Sequence, residues 1–258
     1  MDHKQMNCEE TAKSMFYETI RINTTNDSEC DTLVDNYLMS LKILSEIIKE
    51  SMYVIDFHQK CFRFVSDKGA FLCGYSSEEV LQWGYYFYIK VVHPKDLQLI
   101  VKIHQVIFDF FSHPDISIHD LACIVFNFRI RSGKGYLMVS HRVVPVVIKN
   151  NVRLAFCVVT DSVLKTSGNL YAYFKNEELR YKYSFESDRW SLDTPILLSE
   201  KEKDILKWGK QGKTVKEIAD VFCLSDKTIR NQKVILFEKA DVKNMLQAIL
   251  FAENHFLI

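Results

Sequence analysis

The sequence predicts an α+β domain with one five-stranded antiparallel sheet, followed by an all-α domain of four short helices. Two observations predict the first domain. A pair of short strands near residue 60 precedes helical sequence, and three longer strands follow between residues 126 and 160. A third observation, a series of helix-capping signals after residue 198, predicts the second domain. The expected divisions are a helical segment over 1–50, the α+β domain over 51–165, a hairpin and linker over 166–195, and the helical domain over 196–258.

Composition narrows the class of protein. The 33 basic and 33 acidic residues cancel, so the chain as a whole is not a polyanion binder and charge has to be judged locally. The seven cysteines are scattered without a CxxC pair, which favours free thiols in a reducing compartment. The first residues lack the apolar core of a signal peptide, and no apolar run is long enough to cross a bilayer. We therefore expect a cytoplasmic protein that does not enter a membrane.

The N-terminal segment contains one clear amphipathic helix. Apolar residues recur at spacings of three and four between Val34 and Ile48, which marks one helix face. This face either packs on its own domain or binds a partner helix, and the spacing alone favours neither. A second, shorter helix is expected around Glu10–Ile22. We predict a homodimer in which the N-terminal helix is the main contact, through Leu38, Leu41, Leu44 and Ile48.

The strands of the first domain follow from short-range patterns. Met52–Phe57 and Cys61–Val65 form a hairpin. Apolar residues at Phe126, Phe128 and Ile130 alternate with polar ones, which is typical of a strand with one buried face. The next strands are expected over 136–148 and 152–160, and Pro145 predicts a sheet edge or a bulge. A further hairpin over 170–185 and a polar linker over 186–195 complete this part of the chain.

Two helix starts lie between the hairpin and the long strands. Ser76 and Glu79 form a predicted capping box, and Asp96 is predicted to cap the helix that follows it. Together with Arg131–Pro145, the segments Gly74–Glu79 and His93–Asp96 resemble motifs of the PAS family in their order along the chain. The resemblance implies a PAS-like sheet that wraps a layer of helices and encloses a pocket. The expected pocket wall consists of Phe64, Phe71, Trp83, Phe126 and Phe128.

These five side chains are bulky, and polar groups that could orient a ligand are few in the predicted interior. The composition of the wall therefore favours a domain that serves dimerisation and signal transmission. A small-molecule effector inside the PAS-like domain is the alternative.

The C-terminal domain carries the strongest local signals. Ser199 and Thr214 each have glutamate three residues later, which predicts capping boxes, and Ser225 and Asp241 are predicted to cap two more helices. The second and third helices are joined by a tight turn at Cys223-Leu224. This arrangement predicts a helix-turn-helix.

The third of these helices has an unusual outer face. Lys227, Arg230, Asn231 and Val234 share one surface at helical spacing. Cations, an amide and a small apolar group are suited to reading base edges in the major groove of double-stranded DNA. Residues 207–233 contain seven basic and three acidic residues, a local excess of 7 − 3 = 4 positive charges, which favours phosphate contact. The alternative is an ordinary solvated basic face.

The order of Leu198–Leu206, Gly212, Lys216–Ala219 and Leu224–Arg230 resembles the LuxR/GerE-type helix-turn-helix. Departures are Gln232 where the family has histidine, Ile235 where asparagine is common, and Ala240-Asp241 where Leu-Gly is usual. The resemblance implies a dimeric transcription regulator without enzymatic activity, with the fourth helix as a pairing surface. It places Arg230, Asn231 and Val234 against bases, beside Lys227 of the same face. The expected phosphate contacts are Lys213, Thr214, Lys216, Thr228 and Lys233.

Other chemistry has weaker support. The sequence contains no nucleophile elbow, P-loop or zincin motif, and no histidine lies at zinc-ligand spacing from a cysteine. A haem ligand among His104, His113 and His119 is less common than a packing or surface role for such residues, so we expect neither cofactor nor metal. Cys73 is expected to pack and not to react. The alternative function is a signalling or ligand-binding module whose helix-turn-helix no longer binds DNA.

Overall fold

The computed structural model describes residues 28–56, 59, 61–113, 116–148, 151–175, 180–194 and 196–258. The predicted helix at Glu10–Ile22 and most of the predicted hairpin turns lie outside these residues. The chain forms two compact units. One comprises the residues up to Asp161 together with Thr166–Asp193, and the other comprises Ser162–Lys165 together with Thr194–Ile258.

The first unit is an antiparallel sheet with helices on both faces. Its helices are α1 (Ser28–Ile47), α2 (Ser77–Trp83), α3 (Tyr86–Val91) and α4 (Leu97–Phe111). The strands follow the order β2-β1-β5-β4-β3-β6-β7-β8 among the described residues. Their bounds are β1 Ser51–Asp56, β2 Cys61–Val65, β3 Leu121–Ser132, β4 Gly135–Ile148, β5 Asn151–Asp161, β6 Tyr171–Phe174, β7 Arg180–Ser184 and β8 Arg189–Asp193.

The predicted count of five strands is wrong, because the segment after residue 165 joins the same sheet. Strand β6 pairs with β3, with Tyr171 opposite Val125, and β7 and β8 extend the sheet beyond it. The segment predicted as a polar linker contains β8, which is anchored by Trp190. The Trp190 ring lies 4.7 Å from that of Phe110 and 5.3 Å from that of Tyr183. Trp190, through contacts with aromatic residues distant in the sequence, anchors a strand whose other residues are polar apart from the exposed Leu192.

Pro145 lies where the sequence pattern predicts an edge or a bulge. Strand β4 pairs with β3 only as far as Val143, whereas its pairing with β5 continues past Pro145 and is shifted between Val146 and Val147. Among the described residues, Pro145 therefore lies in a stretch of β4 that has a neighbouring strand on one side only, where the missing N–H of proline can be accommodated.

Helix α1 packs on the sheet face opposite to α2–α4. Its residues Val34 and Leu41 are buried against Val54 and Leu154. Leu41, which the sequence analysis assigns to a dimer contact, therefore belongs to the core of its own domain. The opposite side of α1 is also apolar and is exposed, through Leu33, Met39, Ile43, Leu44 and Ile47.

The other sheet face covers an aromatic core that contains polar groups. The Tyr53 hydroxyl lies 2.9 Å from Nδ1 of the fully buried His141 and accepts a hydrogen bond from the Tyr88 hydroxyl at 3.3 Å. The His141 ring stacks on Phe128 at 4.4 Å. Burial lowers the pKa of His104 to about 4 and that of His141 well below its usual value. The expectation of an interior with few polar groups is therefore wrong.

Asp96 does not cap the helix that follows it. Its carboxylate accepts hydrogen bonds from the Arg129 backbone and guanidinium and from the Ser167 hydroxyl, the last at 2.7 Å. The buried Asn127 side chain donates to the Thr166 carbonyl at 2.7 Å and accepts from the backbone N–H of Asn169 at 2.9 Å. These hydrogen bonds attach the segment between β5 and β6 to β3. The hairpin of β6 and β7 therefore begins at a fixed position on the sheet.

The second unit contains the helices α5 (Glu200–Lys210), α6 (Val215–Val221), α7 (Asp226–Lys239) and α8 (Met245–Asn254). Two details differ from the predictions. Asn244, and not Asp241, caps α8 by accepting from the backbone N–H of Gln247. Leu246 is 75% exposed, although the spacing of Val242, Met245, Leu246, Ile249 and Leu250 predicts a common apolar face of this helix. The core residues are Leu198, Ile205, Leu206, Ile218, Ala219, Ile229, Leu236, Ala248, Ile249 and Ala252.

Within the described part of the chain, none of the helices combines the length and the apolar character that a membrane span requires. The cysteines whose side chains are described are all free thiols, at positions 61, 73, 123, 157 and 223.

Candidate nucleic-acid interface

Local hydrogen bonds build the junction between α6 and α7. Thr214 caps α6 in a reciprocal box, because its hydroxyl accepts from the Glu217 N–H and the Glu217 carboxylate accepts from the Thr214 N–H at 2.7 Å. The turn passes through Cys223, which adopts a left-handed φ of 52°. Ser225 then caps α7 by accepting from the Thr228 N–H at 3.2 Å. The predicted helix-turn-helix is therefore present, with its predicted caps.

The buried side of α7 fixes which residues point outward. Ile229 and Leu236 are buried in the core of the second unit. The residues on the opposite side of the helix are all exposed: Lys227, Arg230, Asn231 and Val234. The structure thus brings the predicted base-reading residues onto one surface of one helix.

The cations of this surface lack counter-ions. Lys216, Lys227 and Arg230 form no ion pair and no side-chain hydrogen bond among the described residues. The ammonium groups of Lys213 and Lys233 lie over the rings of Trp208 and Phe237, at 5.4 and 5.9 Å. We call these five cations, Lys213, Lys216, Lys227, Arg230 and Lys233, the unpaired basic surface.

Several other lysines of the second unit are paired with carboxylates, whereas Lys201 and Lys243 have no ion pair among the described residues. The Nζ atoms of Lys203, Lys207, Lys210 and Lys239 lie within 3.5 Å of carboxylate oxygens of Glu200, Asp204, Glu253 and Glu202, respectively. The Lys239 ion pair and the Ser199 hydrogen bonds hold the pKa of the Glu202 carboxyl below its usual value despite its burial. Five cations without ion pairs therefore lie around α6 and along the first turns of α7, in a region that also contains Asp220 and Asp226 and still has a local excess of positive charge that can meet phosphates.

The two predicted phosphate-contact threonines have a second role. The Thr214 hydroxyl donates to the Glu217 carboxylate at 2.8 Å, and the Thr228 and Ser225 hydroxyls are hydrogen-bonded to each other at 2.8 Å. Both threonines therefore define helix N-termini as well as lying beside the unpaired basic surface. Sequence spacing predicts these positions but not that their hydroxyls are already engaged.

The departures from the LuxR/GerE-type pattern have visible consequences. Asp241 adopts a left-handed φ of 49°, the conformation for which the family's usual glycine is suited, and aspartate tolerates it better than most residues. Gln232 has its Oε1 atom buried without a hydrogen-bond partner among the described residues. Ile235 is 55% exposed beside Val234. The fold of the domain accommodates all three substitutions.

The predicted pocket wall does not enclose one cavity. Phe71, Phe126 and Phe128 are fully buried within the aromatic core. Trp83 lies at the margin, with the Lys90 ammonium 4.3 Å from its ring centroid. Phe64 packs with α1 on the other face of the sheet. These five residues therefore lie in three different surroundings.

The structure also bears on metal binding and on the reactivity of Cys73. No group of three or more histidine, cysteine, aspartate or glutamate side chains among the described residues is arranged to hold a metal ion. Cys73 adopts a left-handed φ of 53°, and burial raises the pKa of its thiol to about 12, so it is a poor nucleophile.

Comparisons with known proteins concern mainly the second unit. Residues 197–252 match the model of the family described as bacterial regulatory proteins, luxR family. The DNA-binding transcriptional activator EvgA of Escherichia coli K12 is 29% identical over 94 residues, and the transcriptional regulatory protein DesR of Bacillus subtilis is 30% identical over 92. Each match spans 36% of this chain and 45% of the relative.

Structural likenesses extend further along the chain but are weak. A VqmA dimer structure from Vibrio cholerae, described as a LuxR-type receptor, matches with a TM-score of 0.35 and 14% identity, covering 84% of this chain and 87% of that one. A PAS domain of an HTR-like protein from Haloarcula marismortui matches with a TM-score of 0.31 and 13% identity, covering 52% and 99%. The family match and the capped helix-turn-helix agree on the same segment: residues 197–252 form a helix-turn-helix domain of the type described as bacterial regulatory proteins, luxR family.

Proposed function

We propose that this protein is a sequence-specific DNA-binding regulator of transcription that acts as a homodimer, without enzymatic activity, in the bacterial cytoplasm. The observation that carries the proposal is the exposed face of α7. It presents Arg230, Asn231 and Val234 side by side, next to cations without counter-ions. The combination of two cations, an amide and a small apolar side chain on one exposed helix face suits base-edge readout better than a solvated face of alternating charges.

The proposed mode of binding follows from this face. Helix α7 enters the major groove, where Arg230 donates to guanine, Asn231 pairs with adenine and Val234 contacts a thymine methyl group. Lys227 lies on the same face. The phosphate contacts are proposed to come from Lys213, Thr214, Lys216, Thr228 and Lys233, which fix the register of α7 and carry no sequence information.

Selection of bound sequences from random duplex DNA, followed by binding measurements on two variants, tests this assignment. Arg230→Ala should weaken binding to the selected site by roughly 1–3 kcal/mol and relax the preference at one base pair, because the lost contact is to a base edge. Lys216→Ala should weaken binding to all sequences alike and reduce the slope of log affinity against log salt by about one, because one phosphate contact is lost.

Lys203→Ala is the matched control, since its ammonium is already paired with Glu200 at 2.7 Å. It should leave both affinity and salt slope close to those of the parent protein. Unchanged affinity of Arg230→Ala for the selected site would show that α7 does not read bases through this face. A selection that yields no preferred sequence would favour the alternative, a signalling or ligand-binding module whose helix-turn-helix no longer binds DNA.

We further propose that residues 51–165 form a PAS-like domain for dimerisation or signal input. The first five strands and the helices between β2 and β3 occur in the order on which that resemblance is based. The proposed dimer contact is the exposed side of α1, which offers Leu33, Met39, Ile43 and Ile47, with Ile47 76% exposed. Pairing two modules would bring two recognition helices to neighbouring half-sites.

Replacing Ile43 and Ile47 together by glutamate should convert the dimer to a monomer, because it places charges within an apolar contact. Analytical ultracentrifugation of the full chain gives the mass. Lys42→Glu changes the net charge by the same two units on another part of the α1 surface, and it should remain dimeric. A double variant with the mass of the parent protein would exclude this side of α1 as the interface.

A further inference from the structure

The first unit contains a cavity that is separate from the predicted pocket wall. It is bounded by the C-terminal half of α4, by His113, Ile116, Ser117 and Asp120 after it, and by strands β6 to β8, and its volume is about 630 Å³. Cavities of about 300–1,000 Å³ are typical of small-molecule sites. Strand β8, absent from the sequence prediction, supplies part of the wall.

The walls of this cavity are aromatic. The centroid of the Phe110 ring lies 4.7 Å from that of Trp190 and 6.3 Å from that of Phe174. The ring centroids of Phe174 and Tyr181 are 5.7 Å apart. Tyr183 extends the series through Trp190 at 5.3 Å. Connected rings of this kind offer π faces and edges to a flat apolar group and to a cation.

Charged groups stand around these rings, and two of them neutralise each other. The Lys102 ammonium lies 2.8 Å from the Asp188 carboxylate, which also accepts a hydrogen bond from the Tyr183 hydroxyl. Burial and the carboxylates of Asp188 and Asp109 raise the pKa of Tyr183, so this hydroxyl stays a neutral donor. The Lys102–Asp188 pair is therefore already satisfied within the protein.

The remaining carboxylates are not satisfied. Asp109 and Asp120 are exposed at the cavity and make no ion pair or side-chain hydrogen bond among the described residues. Arg189 also lines the cavity, and among the described residues its guanidinium has no carboxylate partner. His113 and Ser117 complete the polar part of the lining. Without the Lys102–Asp188 pair, the charged groups of the lining are the carboxylates of Asp109 and Asp120 and the guanidinium of Arg189. The cavity therefore has an excess of negative charge beside its aromatic wall.

We propose that this cavity binds a small organic cation with an aromatic body, of the arylalkylamine class. The aromatic body packs against Phe110 and Trp190, and the ammonium group is held by Asp109 and Asp120. This site would give the first unit a ligand-binding role that does not depend on DNA binding by the second.

Isothermal titration calorimetry of the full chain with tryptamine and with indole-3-propionate tests the proposal, because the two probes share a ring system and differ in the charge of the end group. Tryptamine should bind at least about tenfold more tightly than the anion. The double variant Asp109→Asn with Asp120→Asn should weaken tryptamine binding by about tenfold or more, because it removes both charges that hold the ammonium.

Arg189→Gln gives a change of opposite sign, since removing the competing cation should tighten tryptamine binding by about two- to fivefold. Glu50→Gln, an exposed neutralisation outside the cavity, is the control and should have no effect. Thermal unfolding of each variant checks that it is folded. Absence of tryptamine binding at millimolar concentration, equal or tighter binding of indole-3-propionate, or unchanged binding by the folded double variant would each overturn the proposal.

Discussion

Lowering the pH from 7 to 5 should reduce the free energy of unfolding of the first unit by about 4 kcal/mol, roughly 2 kcal/mol for each of two histidines, the half-buried His104 and the buried His141. The pKa of His104 falls to about 4 in the folded protein, and that of His141 falls well below 6.5. Both rings are then neutral when folded, whereas in the unfolded chain they bind protons as the pH drops through 6.5. Stability is therefore complete above pH 6.5 and is lost as the pH falls toward 4.

Urea unfolding between pH 7 and 5 measures this effect before most carboxylates contribute. His104→Gln and His141→Gln should each remove about half of the pH dependence. His119→Gln, at an exposed histidine, should leave it unchanged. A free energy of unfolding that stays constant from pH 7 to 5 in the parent protein would contradict the assignment of two neutral core histidines.

Gly69→Ala should cost about 3 kcal/mol of stability or more, the sum of backbone strain and a steric clash. Gly69 has a φ of 93°, and a Cβ atom there would lie 2.1 Å from Ser51 Oγ and 2.7 Å from the Ser51 backbone nitrogen. The serine cannot move away cheaply, because its Oγ accepts from the Phe71 N–H at 3.0 Å and donates to the Lys68 carbonyl at 3.1 Å.

Gly74→Ala separates the two contributions. Its φ of 88° imposes a similar strain, but an added Cβ atom would meet nothing within 4 Å. We expect it to cost about 1–2 kcal/mol. Midpoints of urea unfolding compare the pair. Equal losses for both glycine variants would mean that the contact with Ser51 is relaxed without strain.

The features that sequence reasoning predicts well are those set by neighbouring residues. The caps at Ser76, Ser199, Thr214 and Ser225 depend on atoms within three positions of one another, and the first three have the predicted glutamate partner. The exposed face of α7 likewise follows from helical periodicity once Ile229 and Leu236 are recognised as core residues. The helix-turn-helix was predictable for this reason.

Features set by distant contacts were missed. Asp96 has cap chemistry, but its carboxylate is engaged by Arg129, 33 positions later. Apolar residues occur on two sides of α1. Only the packing of this helix against the sheet shows that Val34 and Leu41 lie on the buried side. The same holds for charge at the candidate interface. The partner of Lys210 is 43 residues away and that of Lys239 is 37 residues away, so the sequence does not reveal which lysines remain unpaired.

Because β6 pairs with β3, a fragment that ends before β6 is expected to behave differently from the full chain. A fragment ending at residue 165, where the five-strand prediction would cut, removes the neighbour that pairs with β3 from Leu121 to Val125. The backbone groups of the apolar segment Leu121–Val125 would then form an open edge. In the intact chain the sheet ends instead on β8, a short strand with Arg189 and Asp193 at its two ends. Open apolar edges recruit other chains, so such a fragment should aggregate where the full chain stays dispersed.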